Sequence, residues 1–270
     1  ATGGEIVRPR SWVSAWERLH RNALRRAARV IVLGDDMRER ILSKGVTSDR
    51  VVVIRDGTLL PAPSAPADHP AILEIRGSAK FVVLHAGNLG FYGAWTTLID
   101  AAKSFHDDAG QLVFIGDGAN RARLEEMSRG FSSIRFLPFR PGNEIPCVMA
   151  AGDVHVVTIR RGLSGVVVPS KLYSTLAAGR PILAVAPEQS DVARIVRENE
   201  CGLVADPDDP AAVAAAIRAL RSDPVRLQLM GERAREAAKK YVRVAELEKF
   251  VGVIEEAAHS QPPGGKNLGQ

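Results

Sequence analysis

Short apolar segments that end in glycine or proline alternate with amphipathic segments from residue 80 onward. The runs at 81–85, 112–115 and 134–137 have the length and composition of buried strands, and helical patterns follow the first two directly. Because such connections are too long for hairpins, neighbouring strands should run parallel. The alternation predicts an α/β domain in which helices cover both faces of a parallel sheet. Strands are expected at 81–85, 112–115, 134–137, 154–159, 181–185 and near Val204, and helices at 94–107, 121–129, 145–150, 169–178, 190–198, 210–222, 224–240 and 244–258.

The first 57 residues contain a smaller version of the same pattern. A helix is expected at 11–28, a strand at 29–34, a second helix at 35–44 and a second strand at 51–54. Residues 58–79 contain four prolines, which remove backbone donors, so this stretch is predicted to be a linker. The predicted division is a small unit at 1–57, a linker at 58–79, a main domain at 80–240, a closing helix at 241–258 and a flexible tail at 259–270.

Composition excludes several classes of protein. Hydrophobic residues make up 46% of the chain and charged residues 25%, as in ordinary globular proteins and unlike disordered or fibrous ones. Two cysteines, Cys147 and Cys201, cannot build a disulfide framework, which indicates a reducing, cytoplasmic compartment. No apolar run approaches the roughly 18 residues of a membrane span.

The positive charge is concentrated at the N-terminus. Residues 1–29 contain seven arginines and two glutamates, a net of +5, which equals the formal charge of the whole chain. A basic helix of this kind is typical of a solvated face, of an anionic membrane surface or of nucleic acid. Trp12 and Trp16, four residues apart, should pack against the protein rather than stack on bases. We therefore expect no nucleic-acid partner. The charge pattern leaves open a solvated helix face, which it favours, and peripheral contact with an anionic membrane at its inner face.

Three loops rich in small residues follow predicted strands, at 87–90, 116–118 and 162–165. Open parallel sheets bind ligands at the carboxyl ends of their strands, where backbone N–H groups and helix N-termini favour anions. The loop at 116–118 is not a dinucleotide fingerprint, because Arg121 stands where that pattern needs glycine or alanine. Lys171 lies at a predicted helix start, where its charge opposes the helix dipole, and a bound phosphate would offset that repulsion. Together these features predict an anion site.

The residues at these loops resemble those of a known enzyme family. The PSKLY form at 169–173 is its most specific segment, together with LAAGRPI at 176–182. Further resemblance lies in HAGNLGFYGAWTTLIDAA at 85–102, FIGDG at 114–118, FLP at 136–138, CGLV at 201–204 and DPD at 206–208. In these segments the chain resembles retaining glycosyltransferases of family four, in the branch that builds bacterial capsule, exopolysaccharide and O-antigen.

The resemblance implies a GT-B fold, with a Rossmann-like donor domain and a partial second Rossmann-like domain. It implies that residues 1–57 are the last part of the acceptor domain, most of which is expected to be absent. The implied reaction transfers a hexosyl group, with retention, from a nucleoside-diphosphate sugar to a glycan or lipid-linked acceptor. The resemblance implies no cofactor and no catalytic metal, and the six histidines show no metal-ligand spacing.

The same resemblance assigns site residues. Lys171 is the catalytic candidate, because it would stabilise charge on the leaving diphosphate. Two glutamates common in the family are missing: Ser174 occupies one position, and Val166 or Ser164 the other. A sugar-nucleotide epimerase of the same architecture and a non-catalytic nucleotide-sugar-binding module remain alternatives. The predicted donor-binding residues are Gly87, Asn88, Gly90, Gly116, Gly118, Pro138, Phe139, Ser164, Gly165, Val166, Ser170, Lys171 and Ser174, with Arg160 and Arg161 as second-rank phosphate contacts.

Overall fold

The apolar runs expected as strands form two parallel sheets. The computed structural model describes residues 10–62, 64–105 and 110–259. The strands are β1 Val30–Val32, β2 Val51–Val53, β3 Phe81–Ala86, β4 Gly110–Ile115, β5 Ile134–Leu137, β6 Val154–Thr158, β7 Ile182–Val185 and β8 Gly202–Ala205. The helices are α1 Arg10–Arg26, α2 Asp35–Leu42, α3 Pro70–Arg76, α4 Trp95–Lys103, α5 Arg121–Met127, α6 Ile145–Ala151, α7 Lys171–Ala177, α8 Asp191–Glu198, α9 Pro210–Ser222, α10 Pro224–Ala238 and α11 Arg243–His259.

The larger sheet has the strand order β5-β4-β3-β6-β7-β8, and every pair in it is parallel. The chain builds outward from β3 in one direction and then from β6 in the other, so the order reverses between these two strands. Helices bury both faces of the sheet, which explains why β6 is apolar along most of its length and buried throughout. A crevice at the carboxyl ends of β3 and β6 is therefore the expected place for a ligand.

The predicted linker at 58–79 differs from expectation, because it contains the helix α3. Pro70 stands at the first helical position, where its missing N–H costs nothing, and His69 Nδ1 accepts a hydrogen bond from the N–H of Ala71 at 3.1 Å. Ile72 and Ile75 are buried in the core beside β3 and α6. Proline thus begins a helix here instead of preventing one.

The small unit contains β1 and β2, which pair in parallel, and α1 and α2. Val32, Val46 and Val51 form a small core of their own. The expectation that the tryptophans of α1 pack is wrong for the part of the chain that the structure describes, because Trp12 is 74% exposed and Trp16 is 70% exposed. The predicted flexible tail lies outside the described residues from position 260 onward.

A cluster of ion pairs joins the small unit to the main domain. The N–H of Asp191, at the start of α8, donates to the Asp36 carboxylate at 3.1 Å. The Arg55 guanidinium lies 2.5 Å from Asp35, and Arg194 contacts both Asp35 and Asp191. These contacts hold the end of β2 beside the carboxyl edge of the large sheet.

Candidate functional site

A cavity of about 650 Å³ opens at the carboxyl ends of β3 and β4. One wall consists of the strand ends and the start of α7, and another of α6. The third wall is the connector that follows β2, residues 56–59. Its apolar lining includes Leu59, Ile145, Val148, Met149 and Phe139, and its charged lining consists of Asp56, Arg140, Lys171 and Arg243. The cavity therefore combines an apolar side with an excess of positive charge.

The turn after β3 lies directly against Lys171. Gly87 has a φ of +142°, and its N–H donates to the carbonyl of Ile115 at 2.7 Å. A Cβ atom on Gly87 would lie 1.8 Å from Cε of Lys171 and 2.1 Å from its Nζ. Only glycine leaves room for the ammonium group at this place.

Side chains stabilise the rest of this turn by hydrogen bonds to its backbone carbonyl groups. Trp95 Nε1 donates to the carbonyl of Gly90 at 2.5 Å, and the Tyr92 hydroxyl donates to the carbonyl of Asn88 at 2.5 Å. Asn120 Nδ2 donates to the Gly90 carbonyl at 2.9 Å. These hydrogen bonds fix the carbonyl groups, so the shape of the turn does not depend on a ligand.

The turn after β4 supports the first turn rather than lining the cavity. A Cβ on Gly116 would lie 2.1 Å from the carbonyl oxygen of Gly87, and one on Gly118 would lie 2.4 Å from Oδ1 of Asn88. Both glycines have positive φ values, +132° and +149°. Their lack of side chains lets the two turns touch.

Lys171 is the first residue of α7, so its predicted place in the first helical turn is confirmed. Its side chain is half-buried, and no carboxylate pairs with it within residues 10–62, 64–105 and 110–259. Burial lowers the pKa of Lys171 because the ammonium group loses solvation. An anion in the cavity would compensate for that loss.

The positive charge of Lys171 also affects the pKa of the buried His85. Its Nδ1–H donates to the carbonyl of Val156 at 3.2 Å, and its ring packs edge-on against Trp95. Burial, and next the nearby Lys171 cation, lower the pKa of His85 to about 3. The imidazole is therefore neutral at physiological pH, and Lys171 supplies the positive charge next to β3.

Sequence comparison identifies the family of this chain. The family described as Glycosyl transferases group 1 matches residues 80–223. The chain belongs to this family. A probable glycosyltransferase of Pseudomonas aeruginosa, WbjE, is 30% identical over 198 residues, which are 71% of this chain and 49% of that protein. The putative colanic acid biosynthesis glycosyl transferase WcaI of Escherichia coli is 27% identical over 207 residues, which are 73% of this chain and 50% of that protein. This group 1 chain thus spans about half the length of the curated relatives it matches.

Several solved structures share the fold of this chain. Anabaena Alr3699/HepE in complex with UDP superposes with a TM-score of 0.78 at 19% identity, covering 93% of this chain and 70% of that one. Sucrose-phosphate synthase from Thermosynechococcus elongatus gives 0.78 at 21% identity, covering 96% and 65%. At such identities the likeness shows the fold alone. The expected α/β fold of the GT-B type is confirmed.

The structure brings together only part of the predicted donor site of this group 1 chain. Five predicted residues line the cavity: Gly87, Phe139, Ser170, Lys171 and Ser174. The remaining eight are not among its lining residues: Asn88, Gly90, Gly116, Gly118, Pro138, Ser164, Gly165 and Val166. Their roles in donor binding stay predictions.

The loop at 162–165 contacts the small unit. Gly165 has a φ of +68°, and a Cβ there would lie 2.6 Å from the carbonyl oxygen of Asp36. Arg161, a second-rank phosphate candidate, is held by Asp206 at 2.7 Å and by Asp208 at 2.5 Å. Its guanidinium is therefore already occupied by carboxylates.

Sequence reasoning missed the residues that other segments contribute to the cavity. Asp56 and Arg243 come from the connector and the start of α11, and Ile145 and Met149 come from α6. The Asp56-Gly57 pair is visible in the sequence as a turn, but nothing there shows that it faces α7.

No group of three or more histidine, cysteine, aspartate or glutamate side chains is placed to hold a metal ion within the described residues. None of the helices in that part of the chain combines the length and apolar character needed to cross a bilayer.

Proposed function

We propose that this chain binds the donor of a retaining glycosyltransferase, which moves a hexosyl group from a nucleoside-diphosphate sugar to a glycan or lipid-linked acceptor in surface polysaccharide biosynthesis. The observation that carries the proposal is the unpaired Lys171, which lies against Gly87 in the cavity at the carboxyl ends of β3 and β4. The names of WbjE and WcaI support transfer of sugars.

Two different parts of the cavity suit the two ends of a nucleotide, the diphosphate and the base. Lys171 and the start of α7 suit the diphosphate, whose negative charge grows as the glycosidic bond breaks. The apolar side suits a base, and the ring of Phe139, which is 71% exposed, is free to stack on one. The proposal needs no resident cofactor and no metal, because Lys171 and backbone N–H groups take the charge of the leaving group.

Donor binding tests this proposal directly. Calorimetric titration of the chain with UDP and UDP-glucose should show saturable binding with one site per chain, and with uridine much weaker binding. Product analysis with an acceptor then separates the outcomes: transfer supports the transferase, an altered free donor sugar supports an epimerase, and binding without turnover supports a binding module. If none of a panel of nucleoside diphosphates binds, the proposal is wrong.

We also propose that α1 contacts an anionic membrane on its cytoplasmic side. Trp12, Trp16 and Leu19 form one exposed stripe on this helix, and four of its arginines, most of them on the other side of the helix, are also exposed: Arg18, Arg21, Arg25 and Arg26. Tryptophan and leucine on one face and arginine on the other are typical of helices that lie in the membrane interface. Each basic residue near such a surface contributes about 1 kcal/mol.

Vesicle co-sedimentation tests the membrane contact. The chain should bind vesicles rich in phosphatidylglycerol at low salt and be released at high salt, because salt screens the attraction. Trp16→Ser should weaken binding several-fold. Val251→Ser is the matched control, because Val251 is a similarly exposed apolar residue on α11, where glutamates surround it. Equal binding to neutral vesicles, or no binding at low salt, would contradict the proposal.

A further inference from the structure

We propose that Asp56 recognises the ribose hydroxyls of the donor. The inference rests on the proposed function, since it concerns the nucleotide held in the same cavity. A ribose presents two adjacent hydroxyl donors, and a carboxylate accepts hydrogen bonds from both. The question is which residue of this chain supplies that acceptor.

The two positions at which the family resemblance leads one to expect carboxylates do not supply one. Val166 is apolar. The Ser174 hydroxyl donates to the carbonyl of Lys171 at 3.0 Å, so its proton is already used within α7. Among the described residues that line the cavity, Asp56 is the one with a carboxylate.

Asp56 lies in the wall of the cavity that would face the ribose, which is the middle part of a nucleotide. If Lys171 and Gly87 hold the diphosphate and the apolar side holds the base, the ribose lies between them. The connector that carries Asp56 lines the cavity together with Ser174 of α7 and with Ala178, which follows the end of that helix. Burial raises the pKa of the neighbouring Tyr173, and the negative charges of Asp191 and Asp56 raise it further, which agrees with Asp56 being close to α7.

The backbone holds Asp56 in place without a ligand. The N–H of Thr58 donates to the carbonyl of Tyr241 at 2.8 Å, and the N–H of Arg243 donates to the carbonyl of Thr58 at 2.8 Å. Gly57, which lies between Asp56 and Thr58, makes the turn with a φ of +66°. The connector is thereby fixed to the start of α11.

The carboxylate of Asp56 keeps capacity for further hydrogen bonds. Arg243 Nη2 lies 3.4 Å from Oδ1 of Asp56, at the long end of the hydrogen-bond range, and Arg243 Nε donates to the Asp56 backbone carbonyl at 3.2 Å. A carboxylate has about four acceptor positions, so this pair orients Asp56 without saturating it. Two of the remaining positions are available to the two ribose hydroxyls.

Calorimetry with three ligands tests the assignment. Asp56→Asn should lower the affinity for UDP about 10-fold or more, because a charge-assisted pair of hydrogen bonds is lost. The same substitution should leave the affinities for 2′,3′-dideoxy-UDP and inorganic diphosphate within about twofold of the unsubstituted chain. Asp68→Asn is the matched control, because Asp68 is an exposed aspartate between the connector and α3 that does not line the cavity, and its substitution removes the same charge.

The unsubstituted chain gives an independent test, since it should prefer UDP over 2′,3′-dideoxy-UDP about 10-fold. Absence of that preference overturns the proposal. An equal loss of affinity for all three ligands in Asp56→Asn also overturns it, because Asp56 would then act by positioning Arg243 or the connector. If UDP and UDP-glucose do not bind the unsubstituted chain at all, the proposed function itself has failed.

Discussion

Lys171→Ala should lower the affinity of the chain for UDP about 10- to 150-fold, the effect of losing one charge-assisted interaction worth about 1.5–3 kcal/mol. The ammonium group is half-buried and has no carboxylate partner within the described residues, so the diphosphate would be its counter-ion. Lys80→Ala is the matched control, because Lys80 is an exposed lysine of the same domain that does not line the cavity.

The pH dependence of binding separates this role from a structural one. Burial lowers the pKa of Lys171, so the ammonium group loses its proton at a lower pH than a solvated lysine. The affinity for UDP should therefore fall as the pH rises through that lowered pKa. Calorimetry should show this fall in the unsubstituted chain and in Lys80→Ala, but not in Lys171→Ala. Equal affinity of Lys171→Ala and the unsubstituted chain would remove Lys171 from the site.

The main sheet and the place of Lys171 were predictable because they depend on local patterns. Buried parallel strands such as β3 are continuous apolar runs, and α7 begins where a proline precedes polar residues. The prediction of a linker at 58–79 overlooks the helix α3, because it treats proline only as a residue that breaks helices, although proline fits the first turn of one. The exposure of Trp12 and Trp16 depends on which surfaces lie opposite α1, which no local pattern reports.

The cavity was harder to predict than the sheet, because it forms where distant segments meet. Asp56, Met149 and Lys171 share one cavity although more than 100 residues separate the first from the last. The sequence also does not show which glycine of a turn needs positive φ. Gly90 was an equal candidate, but its φ lies outside the left-handed region, and a Cβ there would meet only side-chain atoms of Tyr92 and Asn88, at 3.2–3.3 Å.

Gly87→Ala should therefore lower the affinity for UDP about as much as Lys171→Ala does. The new Cβ would lie 1.8 Å from Cε of Lys171, so the lysine must leave the turn. A φ of +142° is also strained for any residue with a side chain, at a cost to folding of about 1–3 kcal/mol. Gly162→Ala is the matched control, because Gly162 has a φ of +86° and a Cβ there would meet nothing within 4 Å.

Combining the substitutions shows whether the clash acts through Lys171. In Gly87→Ala/Lys171→Ala the two losses of UDP affinity should not add, because each substitution removes the same ammonium group from the same place. Thermal unfolding should show Gly87→Ala and Gly162→Ala losing comparable stability, while only the former loses UDP in calorimetry. If Gly87→Ala binds UDP as well as Gly162→Ala does, Lys171 finds the diphosphate from another position, and the turn after β3 is a structural element alone.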